Sequence, residues 1–580
     1  MIDLESALKG AYPKFFASYP RFFTGAFVSL FKKLFYQDRL NEFIAKNSHL
    51  EGVSFANAVL EHFNFRYHVD NEGLQNIPES GKVVFISNHP LGALDSLSLI
   101  SLIGSVRPDV KILANELLFK IEPLKNTLLP IDNVTNKSAK ESVKLIMQSL
   151  KNEEAIIIFP AGEVSRIRPS GIKDVKWKEG FLRFAKKAQA PILPLYIHGR
   201  NSWLFYAISM IYKPLAALLL AYEMFNKRDK SIRIKVGEMI PYENLILPEI
   251  KAKNELNLLK KHLYAIGKGK KGVFNTQKCL IRAQDRLEVE KELHRSLRLG
   301  KTRDSKSIYL ADCKSETPLL REIGRLRELS FRKVGEGTGK RLDIDSFDFH
   351  YRHLVLWDEK EREIVGAYRV GESDYLKTLP QRERFYTETL FDYQEGSGYL
   401  FDQSIELGRS FVQPKFWGTR ALDYLWFGIG AYLREYPNTR YLFGPVSLSA
   451  SYPRVAREMI IFFYKRYFGC PRGLVLSKNR YLLTRQEESE YEAMFSGGSY
   501  EEDFKILKEN LSHFNLSIPT LYKQYSELCE EGGVKFFDFG VDPDFENCID
   551  GFIVIEVSKI KESKKKRYIY GESAPEEAKA

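Results

Sequence analysis

Residues 84–98 read VFISNHPLGALDSLS, an apolar run followed by Asn-His-Pro and then by an aspartate six residues after the histidine. Proline is favoured at the first position of a helix, and the residue before it is pushed out of the helical region. The pattern therefore predicts a strand, a turn at His89 and a helix with Asp95 in its second turn. Helical side chains lean toward the N-terminus of their helix, so Asp95 is expected to point back at His89.

A histidine bonded to a carboxylate is a typical proton-transfer unit. The carboxylate fixes one imidazole tautomer, and the other ring nitrogen is then free to take a proton. The small residues Gly92 and Ala93 are expected to leave room above the turn. A structural histidine at a helix cap is the alternative, and the spacing alone does not separate the two.

The surrounding residues 80–245 alternate apolar runs with stretches of helical periodicity. Short runs rich in Val, Ile and Leu are typical of buried strands, and the segments between them predict helices. This alternation predicts an α/β domain with a largely buried sheet. The expected strands are KVVFISN, VKILA, AIIIFP, APILPLYI and IRIKVGE.

A strongly charged region at about 251–306 predicts a boundary made of two helices and a short flexible break. The second folded block mixes predicted strands with predicted helices, which indicates a second α/β domain. The predicted divisions are an amphipathic helical region 1–60, a first domain 61–265, a charged helical linker 266–310, a second domain 311–562 and a solvated tail 563–580.

The composition of the 580-residue chain limits the classes of partner. A formal net charge of +12 suits an anionic partner such as a membrane surface or an acidic protein. Five cysteines without a CxxC spacing give no support to a disulfide framework or a zinc site, so no metal is expected. The chain carries no basic-aromatic motif of a nucleic-acid module, and nucleic acid is not an expected partner.

Two apolar stretches come near the length of a membrane span without reaching the ~18–20 uninterrupted apolar residues that a span requires. They are residues 22–35 and residues 203–225, the second interrupted by Lys213-Pro214. Both fit core-facing helices. Both also fit helices that lie in the plane of a membrane surface, with lysines at the headgroups.

The block FPAGEVSR at 159–166 contains the end of one predicted strand, and the Pro-flanked strand APILPLYI follows later in the chain. In this order the motifs resemble the glycerophosphate and lysophospholipid acyltransferase family. That family usually leaves four residues between His and Asp, whereas NHPLGALD leaves five and is similar to the hemolysin-like branch. The resemblance implies acyl transfer to a hydroxyl, with His89 as the general base and Asp95 holding its ring. The residues it implies in binding the acceptor or the donor phosphopantetheine are Asn88, Glu163, Ser165 and Arg166.

The stretch SIELGRSFVQPKFWGTRALDYLWFGIGAYL at 404–433 predicts a strand, an aromatic turn and an apolar helix. In a regular strand Glu406 and Gly408 share one face, while Leu407 and Arg409 share the other. From the residues alone, Glu406 and Arg409 also fit a surface ion pair.

With RLRELSFRKVGEG at 325–337 and RYLFGPVSLSASYP at 440–453, this stretch resembles the ornithine acyltransferases that use acyl carrier protein and have a GNAT-like fold. The resemblance implies that an α-amine attacks the thioester directly, with Glu406 drawing a proton from the ammonium. It implies that Arg409 orients Glu406, the carrier-protein phosphate or the substrate carboxylate.

The same resemblance implies roles for residues outside that strand. Arg327 and Phe331 would frame the acyl tunnel, and Ser447 and Ser449 would bind substrate. His353 precedes a predicted strand and is expected to be a packed histidine.

Together the two resemblances imply a bifunctional ornithine lipid synthase of bacteria. Its C-terminal domain would join a 3-hydroxyacyl group to the α-amine of ornithine, and its N-terminal domain would esterify that 3-hydroxyl. Residues 413–420 contain only one glycine, Gly418, so a carrier-protein thioester is the expected donor and no tightly bound cofactor is expected. The implied substrates are an amino acid and a lyso-lipid, and the implied location is the cytoplasmic face of the inner membrane, peripheral or monotopic.

Three alternatives remain at this point. The amino acid could be glycine or another amino acid instead of ornithine. The chain could be a lysophospholipid acyltransferase whose C-terminal domain is an inactive binding module. It could also be a membrane-lytic hemolysin or a nucleic-acid binder, for which the basic charge is the main support.

Overall fold

The computed structural model describes residues 36–571 except 115, 131–135, 170, 212, 381–383, 472 and 496–497, together with residues 18, 22, 24, 25, 28, 29 and 32. The chain divides into two compact units, Met1–Cys279 and Leu280–Ala580. The predicted amphipathic helix at 22–35 lies mostly outside the described residues, as does the rest of the region 1–35.

A seven-stranded sheet forms the centre of the N-terminal unit. Its strands, with a small separate hairpin of β6 and β7, are β1 (Arg66–His68), β2 (Val83–Ser87), β3 (Val110–Ala114), β4 (Leu128–Pro130), β5 (Ala155–Ile158), β6 (Arg166–Arg168), β7 (Gly171–Lys173), β8 (Ile192–His198) and β9 (Ser231–Val236). The order is β1-β9-β8-β2-β5-β3-β4, and every neighbouring pair is parallel except β8 and β9. The five predicted strands and the α/β class of this unit are therefore confirmed.

Helices cover both faces of this sheet. They are α1 (Gln37–Lys46), α2 (Gly52–His62), α3 (Asn71–Leu74), α4 (Ala93–Gly104), α5 (Asn136–Lys151), α6 (Gly180–Ala188), α7 (Trp203–Ile211), α8 (Lys213–Asn226) and α9 (Ala252–Gly267). All five residues of β2 are buried, because alternate side chains point into the two apolar layers above and below the sheet. This burial places the end of β2, and His89 just after it, at the centre of the unit.

An eight-stranded sheet forms the centre of the C-terminal unit, beside a short pair of strands, β14 and β17. The strands are β10 (Leu297–Lys301), β11 (Lys306–Asp312), β12 (Arg352–Asp358), β13 (Glu363–Glu372), β14 (Phe391–Tyr393), β15 (Ser404–Val412), β16 (Tyr441–Leu448), β17 (Val475–Ser477), β18 (Val534–Asp542) and β19 (Cys548–Glu556). The helices are α10 (Arg286–Leu293), α11 (Pro318–Lys333), α12 (Ser373–Leu376), α13 (Ala421–Glu435), α14 (Arg454–Phe468), α15 (Arg485–Met494), α16 (Tyr500–Ser512), α17 (Thr520–Ser526) and α18 (Glu562–Lys564).

The order of this sheet is β10-β11-β12-β13-β15-β16-β19-β18, and all neighbours are antiparallel except β15 and β16. The parallel pairing of β15 and β16 covers only residues 404–406 against 441–443. Beyond Glu406 the two strands are no longer paired, and a cleft lies between them.

The structure differs from the predicted linker and tail. The C-terminal part of the linker 266–310 forms β10 and the start of β11, because Leu299 of this amphipathic strand packs on the core. The first residues of the tail 563–580 fold against α13, where Tyr568 and Arg567 bond the Asp423 carboxylate at 2.8 and 2.7 Å. Residues 572–580 lie outside the described residues.

Two helices occupy the apolar stretch 203–225. They are α7 and α8, on either side of residue 212, which is outside the described part of the chain. Among the described helices, none combines the length and the apolar character needed to span a bilayer.

Candidate active sites

His89 and Asp95 form a close pair at the end of β2. His89 Nδ1 lies 3.1 Å from Asp95 Oδ2. The His89 side chain is 15% exposed and that of Asp95 is fully buried. One face of the imidazole stacks on Phe159, with ring centroids 3.9 Å apart and planes at 22°. The ring is therefore held from two sides while one edge still reaches the surface.

The turn between β2 and α4 is longer than the sequence predicts. The helix begins at Ala93 and not at Pro90, so Asp95 lies in its first turn. Asp95 Oδ2 accepts hydrogen bonds from the backbone amides of Leu91 (2.7 Å) and Gly92 (3.1 Å) as well as facing His89. Gly92 has φ +96°, a conformation that favours glycine and allows the extra turn. Leu220 of α8 lies against Gly92, so the room expected above the turn is filled.

The Asp95 carboxyl is isolated from water. Burial raises its pKa above the ordinary value, and the hydrogen bond and charge of His89 act in the opposite direction. Its second oxygen, Oδ1, is buried without a hydrogen-bond partner among the described residues.

A backbone hydrogen bond links the block 159–166 to the His89 turn. The Ser165 amide donates to the His89 carbonyl at 2.7 Å. The Ser165 hydroxyl donates to Asp174 Oδ1 at 2.6 Å, and the same oxygen lies 3.3 Å from the His89 amide. Trp177 Nε1 donates to the other oxygen of Asp174 at 3.0 Å. Ser165 therefore holds the turn in place and does not present a free hydroxyl.

Asn88, the residue before the histidine, also has a positioning contact. Its amide group exchanges two hydrogen bonds with the backbone of Ile197 on β8, at 2.9 and 2.7 Å. Asn88 is buried, so it continues the pairing of β2 with β8 beyond the end of the ladder. The expectation that Asn88 binds substrate differs from this arrangement, because both ends of its amide are already bonded.

Glu163 and Arg166 lie together at the surface side of the same block. Arg166 Nη2 donates to Glu163 Oε2 at 3.1 Å, and Nη1 donates to the Ser209 hydroxyl of α7. The Arg166 guanidinium also lies over the Phe205 ring, 5.8 Å from its centroid. Glu163 is more than one-third exposed. The Glu163 side chain is therefore partly open to solvent, whereas that of Arg166 is 12% exposed.

The C-terminal cleft opens where β15 and β16 separate. A bulge in β15 shapes one wall: Ala367 pairs with Phe411 and Arg369 with Gly408, so two residues of β15 face Tyr368 alone. Arg409, one of the two, has φ +49°, which interrupts the regular alternation expected for the strand. As a result Leu407, Gly408 and Arg409 all line the cleft. The lining residues that matter below are Phe331, Glu336, Tyr386, Arg409, Ser447, Phe545 and Asp550.

Arg409 is held at the cleft by aromatic rings and acidic groups. Its guanidinium lies 5.1 Å from the centroids of both Tyr386 and Phe545. Its Nη1 donates to Asp343 Oδ2 at 3.3 Å, and its Nη2 lies 3.6 Å from Asp345 Oδ2. Phe331 lines the cleft and packs edge-on against Phe545 at 5.1 Å, and its role beside an acyl chain stays a prediction.

Arg327 is fully buried and does not line the cleft, in contrast to its predicted place in the tunnel. Its Nη1 and Nη2 donate to the two carboxylate oxygens of Asp348 at 3.0 and 2.9 Å, and its Nε lies 2.9 Å from Asp343 Oδ2. Arg369 joins the cluster through Asp345 at 2.6 Å. Against the raising effect of burial, the charges of Arg327 and Arg369 hold the pKa of Asp348 well below its usual range. Arg327 thus stabilises the segment 343–348.

Glu406 is also absent from the lining of the cleft. Its Oε1 accepts from the Thr387 amide at 2.8 Å, and its Oε2 accepts from the Tyr386 amide at 3.1 Å and from the Tyr351 hydroxyl. Burial raises its pKa, against these hydrogen bonds. The prediction that Glu406 draws the proton from the substrate conflicts with this arrangement, because the carboxylate faces the segment 386–387 and not the cleft.

Two carboxyl groups that the motifs did not single out line the cleft instead. Burial, with the charge of Asp550, raises the pKa of Glu336 to about 7. Burial raises the pKa of Asp550 to about 6, with the charge of Asp542 adding to the effect and Ser447 opposing it. Ser447 pairs with Asp550 across β16 and β19 and lines the cleft, and its binding of substrate stays a prediction.

Two further predicted residues lie elsewhere. The Ser449 hydroxyl donates to the Val334 carbonyl at 2.9 Å and is not among the lining residues. His353 is buried, and its Nε2 lies 3.0 Å from the Asp348 carbonyl, as expected for a packed histidine.

Sequence reasoning missed Asp174, Glu336 and Asp550. Asp174 follows a short hairpin and carries no local pattern. Asp550 had one available signal, an acidic residue within the otherwise apolar strand CIDGFIVIE. Glu336 follows the end of a predicted helix, where an exposed glutamate is the ordinary expectation.

Comparison with known proteins agrees with the two-unit architecture. Residues 14–269 match a family described as acyltransferase, and residues 326–427 match the acetyltransferase (GNAT) domain. A glycine N(alpha)-acyltransferase of Bacteroides thetaiotaomicron is 34% identical over 296 residues, which are 48% of this chain and 86% of that protein. A lyso-glycine lipid O-acyltransferase of Phocaeicola vulgatus is 35% identical over 250 residues, 42% of this chain and 87% of that protein. An L-ornithine N(alpha)-acyltransferase of Rhodobacter capsulatus is 30% identical over 168 residues, 27% of this chain and 62% of that protein.

The fold and the matched domains define an enzyme of the acyltransferase class, with an α/β acyltransferase unit followed by a GNAT-like unit. More particularly, the chain belongs to the family of amino-acid-lipid acyltransferases and joins relatives of an N-acyltransferase and of an O-acyltransferase in one polypeptide.

Proposed function

We propose that this protein makes a two-chain glycine lipid. The C-terminal unit joins a 3-hydroxyacyl group to the α-amine of glycine, and the N-terminal unit then esterifies the 3-hydroxyl with a second acyl group. The observation that supports this most strongly is that one chain covers 86% of a glycine N-acyltransferase and 87% of a lyso-glycine lipid O-acyltransferase.

In the N-terminal unit, His89 acts as the general base. Asp95 bonds Nδ1, which leaves Nε2 to take the proton of the lyso-lipid hydroxyl as its oxygen attacks the thioester carbonyl. The buried Asp95 carboxylate stabilises the imidazolium that results. When the thiolate leaves, the proton passes from His89 to its sulfur, and the ring returns to the neutral form.

Arg166 and Glu163 bind polar groups of the substrates beside this pair. Both belong to the block that Ser165 fastens to the His89 turn. The Arg166 guanidinium is paired only with Glu163 and a hydroxyl among the described residues, so it is able to receive a phosphate or carboxylate from an acyl donor or acceptor. Asn88 and Ser165 act on the reaction through the position of His89.

In the C-terminal unit, the amine of the acceptor attacks the thioester in the cleft between β15 and β16. Phe331 and Phe545 supply an apolar wall for the acyl chain. Arg409 supplies a positive charge for the carboxylate of the amino acid or for the phosphate of the donor. Glu406 acts indirectly, by fixing the backbone of Tyr386, whose ring lies under Arg409.

The acyl donor is a thioester of acyl carrier protein. Residues 413–420 contain only Gly418, so this turn lacks the Gly-rich loop that would bind the pyrophosphate of coenzyme A. The formal net charge of +12 favours an acidic protein as donor.

The N-terminal unit works at the cytoplasmic face of the membrane. Helix α7 exposes Trp203 (70%), Leu204 (53%) and Met210 (69%), while its Phe205 and Tyr206 are buried in the apolar cluster beside the His89 turn. An aromatic and aliphatic surface of this kind enters the headgroup region of a bilayer. The lyso-lipid therefore passes from the membrane to His89 along the α7–α8 pair.

Fusion of the two units also has a physical rationale. A single acyl chain anchors its headgroup only marginally, at about 0.8 kcal/mol per buried methylene. A second site in the same polypeptide raises the effective concentration of the intermediate. The lyso-lipid is then esterified before it is lost.

Ornithine is the second candidate acceptor, since ornithine acyltransferases are also among the relatives. A direct competition separates the two. Purified protein is given glycine and ornithine at equal concentration with one 3-hydroxyacyl carrier-protein thioester. We expect the glycine amide to dominate, and a dominant ornithine amide would reject the proposed headgroup.

A further inference from the structure

The carboxyl groups of Glu336 and Asp550 share the C-terminal cleft with the guanidinium of Arg409. Glu336 follows α11, where Gly335 at φ +74° turns the chain back and the Glu336 amide donates to the Phe331 carbonyl at 2.9 Å. Asp550 lies on β19 directly opposite Ser447 of β16 and is only 3% exposed. Two acidic side chains from distant parts of the sequence thus face one small space.

Their surroundings leave Glu336 the freer of the two carboxyls. Asp550 is accompanied by the Ser447 hydroxyl and by the Cys548 thiol, which lies 3.7 Å from Oδ1. Among the described residues, no side chain forms a hydrogen bond to the Glu336 carboxylate. Asp550 is buried and Glu336 is partly buried. Carboxylates removed from water without a close positive partner are unfavourable, and a cationic ligand reduces that penalty.

We propose that Glu336 and Asp550 hold the α-ammonium of the amino-acid acceptor in this cleft, and that Glu336 takes a proton from it. The proposal rests on the proposed function of the C-terminal unit as an N-acyltransferase. It assigns the proton transfer to Glu336 and not to Glu406, whose carboxylate is bonded to Tyr351, Tyr386 and Thr387 behind the cleft. Arg409 faces the carboxylate of the same amino acid.

The ammonium gives one proton to the Glu336 carboxylate, and the neutral amine attacks the carbonyl carbon of the acyl thioester. The carbon–nitrogen bond forms, the carbon–sulfur bond breaks, and the leaving thiolate takes a second proton from the nitrogen. The products are an amide and a free thiol, and Glu336 releases its proton to water.

The electrostatics of the cleft support this role. A base with a pKa of about 7, as burial gives Glu336, is about half ionised at neutral pH and accepts a proton readily in its ionised form. The other titratable or charged groups that act on Glu336 or Asp550 are Arg409, Asp542, Tyr386, Tyr452, Tyr522 and Cys548. Of these only Arg409 is cationic at neutral pH, so the pair of carboxyls lacks enough positive charge until the ammonium binds.

The test measures the rate of acyl transfer to two acceptors, glycine and hydroxylamine. The enzyme is the full chain and the donor is a 3-hydroxyacyl carrier-protein thioester. Glycine is protonated at neutral pH and needs a base, whereas hydroxylamine is largely unprotonated and does not. For Glu336→Gln we expect kcat/KM for glycine to fall by about a hundredfold or more. The rate with hydroxylamine should fall much less. Glu531→Gln, an exposed glutamate of the same unit, serves as the matched control and should leave both rates unchanged.

The pH profile gives the second readout. In the wild type, kcat/KM for glycine should rise as Glu336 ionises near pH 7, and in Glu336→Gln that step should vanish and the rate should recover at high pH, where the amine is neutral. An equal loss with both acceptors, or an unchanged profile in Glu336→Gln, would overturn the proposal. If the wild type transfers acyl groups to hydroxylamine but to no amino acid, the proposed function fails instead.

Discussion

His89 Nδ1 lies 3.1 Å from Asp95 Oδ2, and that same oxygen accepts two backbone amides from the turn that separates the residues. One carboxylate oxygen therefore closes the turn and fixes the imidazole. This dual contact couples the shape of the turn to the orientation of the base. A substitution at Asp95 therefore acts both on the backbone of the turn and on the position of the imidazole.

For Asp95→Asn we expect the ester-forming step to fall at least a hundredfold while the amide-forming step is unchanged. The asparagine keeps one oxygen near the turn but removes the negative charge that stabilises the imidazolium. Rates of O-acylation of added lyso-lipid provide the measurement. Glu122→Gln, at the exposed ion pair with Lys125 in the same unit, is the control. Retention of most O-acylation in Asp95→Asn would contradict the proton-transfer role.

Arg327→Ala should destabilise the C-terminal unit by about 3–5 kcal/mol, because it leaves Asp348 buried without its main positive partner. Urea unfolding followed by tryptophan fluorescence measures this change. The partly exposed Arg321, paired with Glu316, is the matched control and should cost under about 1 kcal/mol. A stable Arg327→Ala variant with weakened substrate binding would instead restore the role in the tunnel that the sequence predicts.

The cleft carboxyls should make the C-terminal unit less stable as pH rises from about 4.5 to 7. Burial raises the pKa of Glu336 to about 7, so the folded state binds more protons than the unfolded state in this window. Stability is therefore highest below the unfolded pKa and falls as pH passes toward 7. Glu336→Gln removes the titration, so its thermal midpoint should depend less on pH. At pH 8 its free energy of unfolding should exceed that of the wild type by an amount of order 1–3 kcal/mol. An unaltered pH dependence of the midpoint would argue against a strongly perturbed Glu336.

Helix α7 should carry much of the membrane affinity of the N-terminal unit. Replacement of Trp203, Leu204 and Met210 by serine removes exposed apolar area without touching the buried face of the helix. We expect sedimentation with anionic lipid vesicles to fall at least tenfold. The triple substitution Leu287→Ser, Val334→Ser and Leu482→Ser, at exposed apolar residues of the C-terminal unit, is the control. Equal loss in both variants would mean that α7 is not the contact.

The local parts of the fold could be predicted from the sequence. The strand-turn-helix at His89 depends on residues 84–98 alone, and an apolar run, a proline and an aspartate within reach are sufficient to indicate it. The predicted length of the turn was wrong, because Gly92 extends the turn before the helix begins. This extension depends on the positive φ of that one residue. The strands of both sheets can likewise be predicted from short segments, because continuous apolar runs indicate buried strands.

The contacts that define the C-terminal cleft are not local. Arg327 bonds to Asp348, which is 21 positions away in the sequence, and Glu406 bonds to Tyr351, which is 55 positions away. A motif shows that such residues are present but not which of them face the cleft. The bulge at Arg409 interrupts the regular alternation of side chains along β15. The face of the strand on which each side chain lies therefore cannot be inferred from its position in the sequence. For this reason the motif indicated Glu406, while the cleft is lined by Glu336 and Asp550.

The most direct test of the whole account is mass spectrometry of the lipids of a bacterial host that makes no amino-acid lipid of its own. The wild-type chain should yield a glycine headgroup with an amide-linked and an ester-linked acyl chain. His89→Ala should yield only the single-chain amide, which accumulates, and Glu336→Gln should yield little of either. Two-chain lipid in the His89→Ala host, or no amino-acid lipid in the wild-type host, would contradict the account.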